Sequence, residues 1–341
     1  MKIAMLAPIS WRTPPRHYGP WEWVVSMLTE GLVRRGIDVT LYATADSLTR
    51  AKLEAVAPRP WSEDPELEPK VWECLHISEV FENAGRYDLI HNNFDFLPLS
   101  YSGLVSTPVL TTIHGFSSPR ILPVFRKYNG KAHYVAISEA DRHPDLDYAA
   151  TVYHGIPVAD YPFSESFSTA QSPEGYLLFF GRIHHDKGVY ESIRLAKQAG
   201  LPLVIAGIIQ DQNYFDRYVA PYLDDETVRY IGPVGPGSKG KLLGEARALL
   251  HLINFDEPFG ISVVESMACG TPVIAFNRGS MSELIVDGET GFLVGDLDEA
   301  NGTLYKLDNI DRRKCRQRVV ENFTIDIMVD RYIEVYRKII S

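Results

Sequence analysis

Short β-branched runs recur through the whole chain, each followed by a stretch of helical period, and that alternation restricts the fold more than any other feature. Residues 3–7 read as a strand, 21–35 as a helix closed by Gly36, and 37–43 as the next strand, with further strands expected at 88–91, 108–113 and 134–137. Val24, Val25, Leu28, Leu32 and Val33 form an apolar stripe of helical period, and Gly36 stands where a left-handed cap is wanted. Punctuation of this kind predicts helices packed on a parallel sheet.

The alternation lapses over residues 157–175, which are rich in Ser and Pro, and resumes with strands expected at 176–180, 203–206, 228–231, 249–253, 273–276 and 292–294. At 341 residues and 45% hydrophobic content the chain exceeds one ordinary core and has enough apolar residues for two. The expected architecture is therefore α/β, with two Rossmann-like, doubly wound parallel-sheet domains facing a cleft. The expected boundaries are 1–156 for the first domain, 157–175 for a linker, 176–325 for the second domain, and 326–341 for a closing helix able to pack back on either.

A formal charge of −10 without a basic tract argues against a nucleic-acid surface. Cys74, Cys269 and Cys315 are odd in number and lack paired spacing, so neither a disulfide framework nor a zinc signature is expected. The N-terminal apolar run is too short for a signal-peptide core, and no window of about 18 apolar residues occurs. These features fit a cytoplasmic protein, with peripheral contact at the inner face of a membrane left open.

The segment EPFGISVVESMACGTP, residues 257–272, carries the most chemistry. Gly260 lets backbone approach a ligand without a Cβ, and the helix expected after it points unpaired N–H groups and its positive end at the same place. Ile261, Val264 and Ala268 mark a buried stripe, while Ser262, Glu265 and Cys269 lie on the adjacent one. A lone helical Glu is ordinarily a solvated surface carboxylate, and a lone Glu257 would simply complement the helix dipole. Together with Gly260, the two carboxylates describe a pocket for a ligand both anionic and rich in hydroxyls.

This segment resembles the E-P-F-G and E-x-M-A-x-G-T-P pattern of retaining family 4 glycosyltransferases, which have the GT-B fold. The resemblance extends to GR-x4-KG, present as Gly181, Arg182, Lys187 and Gly188 after an expected strand. It implies that Glu257 contacts donor-sugar hydroxyls, Glu265 binds the nucleotide ribose, and backbone N–H groups near Phe259, Gly260 and Ile261 touch the sugar. It also implies that Arg182 and Lys187 bind the donor diphosphate. Two fixed cations there would meet the charge that develops as the sugar leaves. His114, after the strand PVLTTI, corresponds to a histidine beside the donor sugar; Ser138, Glu139, His154 and Gly155 occupy similar strand ends.

His184, His185 and Asp186 invite a metal-site reading, but adjacent histidines seldom face one ion, and a polar loop is expected with no metal. The loop 8–20 contributes Gly19 on the donor side and Trp11 and Arg16 on the acceptor side. Pro20 stands where relatives commonly carry a second glycine, so one N–H is lost there. Trp11 offers a flat apolar face to a pyranose, whereas Trp23 reads as core. The expected activity is metal- and cofactor-independent hexosyl transfer from a UDP-sugar or GDP-mannose to a saccharide, lipid-linked or small-molecule hydroxyl. The rival readings are an epimerase or phosphorylase on the same scaffold, or a non-catalytic nucleotide-sugar-binding protein.

Overall fold

The structure, a computed structural model, describes residues 1–116, 118–167, 175–224 and 226–341. Contacts divide the chain into two compact units, residues 1–155 with 325–341, and residues 156–324. In the first, β1 (Lys2–Leu6), β2 (Asp38–Tyr42), β3 (Lys52–Glu54), β4 (Leu89–Asn92), β5 (Val109–Ile113), β6 (His133–Ala136) and β7 (Tyr148–Thr151) form one sheet in the order β3-β2-β1-β4-β5-β6-β7. In the second, β8 (Leu177–Phe180), β9 (Leu203–Ala206), β10 (Val228–Tyr230), β11 (Ala248–His251), β12 (Val273–Phe276) and β13 (Gly291–Val294) run β10-β9-β8-β11-β12-β13. Every pairing is parallel, so both units are doubly wound α/β domains as the alternation predicts.

The central strands were legible because both faces are covered: Ile3 to Leu6 and Leu177 to Leu178 are fully buried. Sequence reasoning missed β3 and β7. Both are edge strands of the first sheet with no fully buried residue, so neither the apolar run of a central strand nor a clean alternation marks them.

The closing helix Ile325–Ile340 belongs to the first unit and lies against the helix Pro20–Arg34. A Cβ on Gly31 would come within 2.3 Å of Val329 Cγ2, so the two backbones approach because that position is bare. Its inner face also carries hydroxyls. Tyr336 OH lies 2.7 Å from His91 Nδ1, and Thr112 Oγ1 lies 2.7 Å from His91 Nε2 and 2.8 Å from Tyr332 OH. Burial, with a smaller push from His114, holds the His91 pKa down at about 3, so the imidazole sits in this network uncharged.

The stretch 157–175 expected as a linker is part of the second unit as far as it is described; residues 168–174 lie outside the described residues. It lacks helical period yet is held by side chains from the helix Arg312–Asn322. Arg312, 8% exposed, donates to the carbonyls of Ser164 at 2.9 Å, Ala246 at 3.1 Å and Gly244 at 2.6 Å. Arg316 reaches the carbonyls of Tyr161, Ala268 and Val158. Burial lowers the Arg312 pKa to about 10, which leaves it charged at neutral pH and satisfied by carbonyl dipoles. Replacing Arg312 by Met removes every one of these donors while keeping the apolar stem. The expected loss is about 3 kcal/mol in denaturant unfolding, from carbonyls left buried without a partner.

Candidate functional site

Within the second unit, the carboxyl ends of β8 and β11 are drawn together by close backbone approach. Gly188 (φ 73°) sits so near β11 that a Cβ would lie 1.8 Å from the Leu252 carbonyl oxygen. Asn254 N–H donates to the Asp186 carbonyl at 2.8 Å, and Ile183 N–H to the Ile208 carbonyl at 2.8 Å. The loop 181–188 is thereby fixed on both sides, and its Lys187 reaches the loop that follows β11.

There Lys187 Nζ donates to Glu257 Oε2 at 2.6 Å and lies 4.4 Å from the Phe255 ring centroid. His251 Nε2 stands 3.6 Å from the same oxygen, beyond hydrogen-bond length but within ion-pair range. Burial pushes the Glu257 carboxyl up, but His251 and Lys187 outweigh it and hold the pKa at about 2. Arg182 hydrogen-bonds Gln210 through Nη1. Two residues expected to serve different parts of a donor, Lys187 and Glu257, are thus a direct ion pair.

Gly260 (φ 98°) caps the helix Ile261–Ala268, and a Cβ there would lie 2.8 Å from Met281 Cε. The turn before it is braced by Ser280, whose N–H donates to the Glu257 carbonyl at 3.0 Å and whose hydroxyl donates to the Phe259 carbonyl. The Phe259 side chain is buried edge-on against Phe323, so only its backbone is available to a ligand; Ile261 and Ser262 are half-buried on the first turn. On the first turn, Val263 N–H donates back to the Gly260 carbonyl at 3.0 Å, while the N–H groups of Ile261 and Ser262 stand ahead of the helix's own hydrogen-bond ladder.

Glu265, 4% exposed, is no solvated carboxylate. Its Oε1 accepts from the Tyr161 hydroxyl at 2.6 Å and from Lys239 Nζ at 2.6 Å, and Lys239 also lies 5.3 Å from the Tyr161 ring centroid. Burial and the Glu265 charge push the Tyr161 hydroxyl up, so it stays a donor; the same two causes push Cys269 up to about 12, so it stays a thiol. Tyr161, Lys239 and His251 were missed from sequence. No spacing relates them to residues 257–265, and Tyr161 lay in the presumed linker.

In the turn 184–186, Asp186 Oδ2 lies 3.2 Å from His184 Nδ1 and its Oδ1 lies 2.7 Å from His185 Nε2. The three side chains bring potential ligand atoms within 4.8 Å of one another. Both carboxylate oxygens are thus already occupied by imidazoles.

His114, Gly19, Trp11 and Arg16 belong to the first unit. His114 is buried between Trp21, whose ring lies 5.5 Å away at 27°, and His154, at 5.2 Å and 28°; its Nε2 lies 2.9 Å from Asn93 Oδ1. Burial lowers its pKa to about 3, so it acts as a neutral hydrogen-bonding group. Gly19 caps the helix Pro20–Arg34, and Trp11 is half-buried, edge-on to Tyr18. Arg16 is exposed and paired with Asp46 at 2.9 Å and with Glu63. Among the described residues, no helix is long and apolar enough to cross a membrane.

Two family models match the chain in succession. Residues 22–146 match Glycosyltransferase Family 4, and residues 162–317 match Glycosyl transferases group 1. A glycogen synthase of Mycobacterium tuberculosis is 27% identical over 206 residues, 57% of this chain and 49% of that protein, so the match spans about half of that relative's length. A D-inositol 3-phosphate glycosyltransferase of Pseudarthrobacter chlorophenolicus is 25% identical over 320 residues, 78% of this chain and 76% of the relative. Among solved structures, Anabaena HepE in complex with UDP and glucose superposes with a TM-score of 0.72 at 18% identity, covering 99% of both chains, and shares the fold.

Glu22 was also missed. It is 3% exposed beside Gly19, and its Oε1 accepts from the Trp11 N–H at 3.1 Å. Burial pushes its carboxyl up to about 7, against the hydrogen bonds from its own and the Trp11 backbone. The folded chain therefore holds this proton more tightly than the unfolded chain. The resulting stabilisation is complete below pH 4.5 and is lost as pH rises through about 7. Glu22→Gln should flatten this loss, gaining about 3 kcal/mol relative to the parent between pH 4.5 and pH 8 in urea unfolding. Parallel pH profiles for the two proteins would contradict a neutral Glu22.

Proposed function

The chain belongs to the group 1, family 4 glycosyltransferases, and from that premise we propose that it moves a hexosyl group from a nucleoside diphosphate sugar to a hydroxyl acceptor with retention of anomeric configuration. The observation that carries this reading is the Lys187–Glu257 pair beside the glycine-capped helix at Gly260. A half-buried ammonium already neutralised by a carboxylate can change partners. An incoming diphosphate takes Lys187, and the freed Glu257 accepts hydrogen bonds from sugar hydroxyls. Arg182 and the N–H groups at the helix start add positive potential on the phosphate side. Glu265 receives Tyr161 and Lys239 on Oε1, which leaves Oε2 for ribose hydroxyls.

The C1–O bond to the leaving phosphate breaks as the acceptor oxygen bonds C1 from the same face, and the acceptor proton passes to a phosphate oxygen. Lys187 and Arg182 stabilise the charge left on the diphosphate. UDP-sugars and GDP-mannose are the donors of choice, and HepE, with UDP and glucose bound, supports a diphosphate nucleotide on this fold. The acceptor belongs to the first unit, with Trp11 as its stacking surface. No divalent ion is required, since Arg182, Lys187 and the helix start supply the positive charge.

Product analysis with a labelled donor, with and without an acceptor, tests the reaction. Transfer needs an acceptor, epimerisation does not, and a non-catalytic binding protein would not hydrolyse the donor even slowly. Arg182→Ala and Lys187→Ala should each cost on the order of 3 kcal/mol of transition-state stabilisation, about a hundredfold in turnover, in folded protein. Glu257→Gln should impair use of the intact donor more than binding of the free nucleoside diphosphate, whereas Glu265→Ala should weaken both; equal losses would contradict the division of roles. Turnover should survive exhaustive chelation. Activity abolished by EDTA and restored by zinc or manganese would instead assign His184, His185 and Asp186 to a metal.

A further inference from the structure

Two nitrogens compete for one oxygen of Glu257. Lys187 Nζ lies 2.6 Å from Oε2, and His251 Nε2 lies 3.6 Å from the same atom. His251 closes β11 and is 7% exposed, and among the described residues nothing hydrogen-bonds to its Nε2. A buried polar atom without a partner is costly. This one is aimed at a carboxylate whose charge another residue already neutralises.

Two carboxylates of the neighbouring segments have partners of their own, although Glu191 Oε2 is left without a hydrogen bond among the described residues. Glu191 of the helix Val189–Ala199 accepts from Asn254 Nδ2 at 3.0 Å, and Asp186 is held by His184 and His185. Lys187, from the turn after β8, and His251, from β11, are therefore, among the described residues, the two basic groups paired with Glu257, one an ammonium and the other an imidazole able to accept a proton. When Lys187 turns to a diphosphate, Glu257, only 14% exposed in its side chain, loses its hydrogen-bonded cation. A carboxylate left unpaired in such a place is costly. An imidazole changes charge within the pH range 5 to 8, and this one stands within ion-pair reach.

We propose that His251 is a positioning residue that takes up a solvent proton as Lys187 passes from Glu257 to the donor diphosphate, keeping Glu257 ionised and in place for the sugar. The inference rests on the assignment of Lys187 to the diphosphate. Donor-site binding is then coupled to proton uptake, and affinity for a nucleoside diphosphate falls as pH rises.

The test is calorimetric titration of the full chain with UDP, GDP, ADP and dTDP, in buffers of differing ionisation enthalpy, at pH 6.5, 7.5 and 8.5. The slope of observed enthalpy against buffer enthalpy counts protons. Comparison with variants cancels the titration of the nucleotide itself. The parent should show net uptake and weaker binding at higher pH. His251→Phe should lose most of that uptake, and His251→Asn serves if the Phe variant does not fold. Glu257→Gln should lose it too, although His251 is intact, which a merely structural histidine would not explain. Uptake unchanged in a folded His251 variant, or retained in Glu257→Gln, overturns the proposal. Lys187→Ala separates the two readings: affinity unchanged in that variant, or no binding of any of the four nucleotides by the parent protein, overturns the diphosphate assignment itself.

Discussion

The candidate site of the second unit depends on one backbone approach, that of Gly188 to the end of β11. A side chain at residue 188 would occupy the Leu252 carbonyl, and without that contact Lys187 would not meet Glu257. Two segments seventy residues apart become one site because a parallel sheet places the loops after β8 and β11 side by side. The glycine is required by contact as much as by its positive φ.

Charge at this end of the sheet is managed by sharing. Glu257 and Glu265 are both withdrawn from solvent, and each is met by a lysine at 2.6 Å and by a second polar group, His251 for one and Tyr161 for the other. A pair so buried adds little to stability on balance, because desolvation offsets the attraction. On the proposed reading, its value lies in holding ions ready in a fixed geometry, where an anionic ligand takes over one partner at small reorganisation cost. Arg312 follows different logic: its charge is met by three carbonyls and the Thr271 hydroxyl, with no carboxylate hydrogen-bonded to it among the described residues, and it serves to hold the segment around Ser164.

Burial in the first unit suppresses charge on several of its inner titratable groups. His91 and His114 are held uncharged by burial, and Glu22 is pushed to about 7 by the same cause. Histidines in such places act as fixed hydrogen-bonding groups between hydroxyls, amides and rings. The closing helix is part of this design, since Tyr332 and Tyr336 complete the hydroxyl network around His91.

The sequence by itself determined the fold class, because central strands covered on both faces appear as β-branched runs and the intervening helices carry apolar stripes. It also marked the candidate site, because Gly260 at a helix start and carboxylates at fixed offsets are local requirements. The edge strands β3 and β7, partly exposed, left no such mark. Tertiary structure alone decided that the Ser- and Pro-rich stretch joins the second unit as far as it is described, since arginines 150 residues away hold it there. It alone paired Lys187 with Glu257, and it alone brought Tyr161, Lys239 and His251 to the two glutamates. Those meetings depend on strand order and loop approach in space, and sequence spacing carries no trace of either.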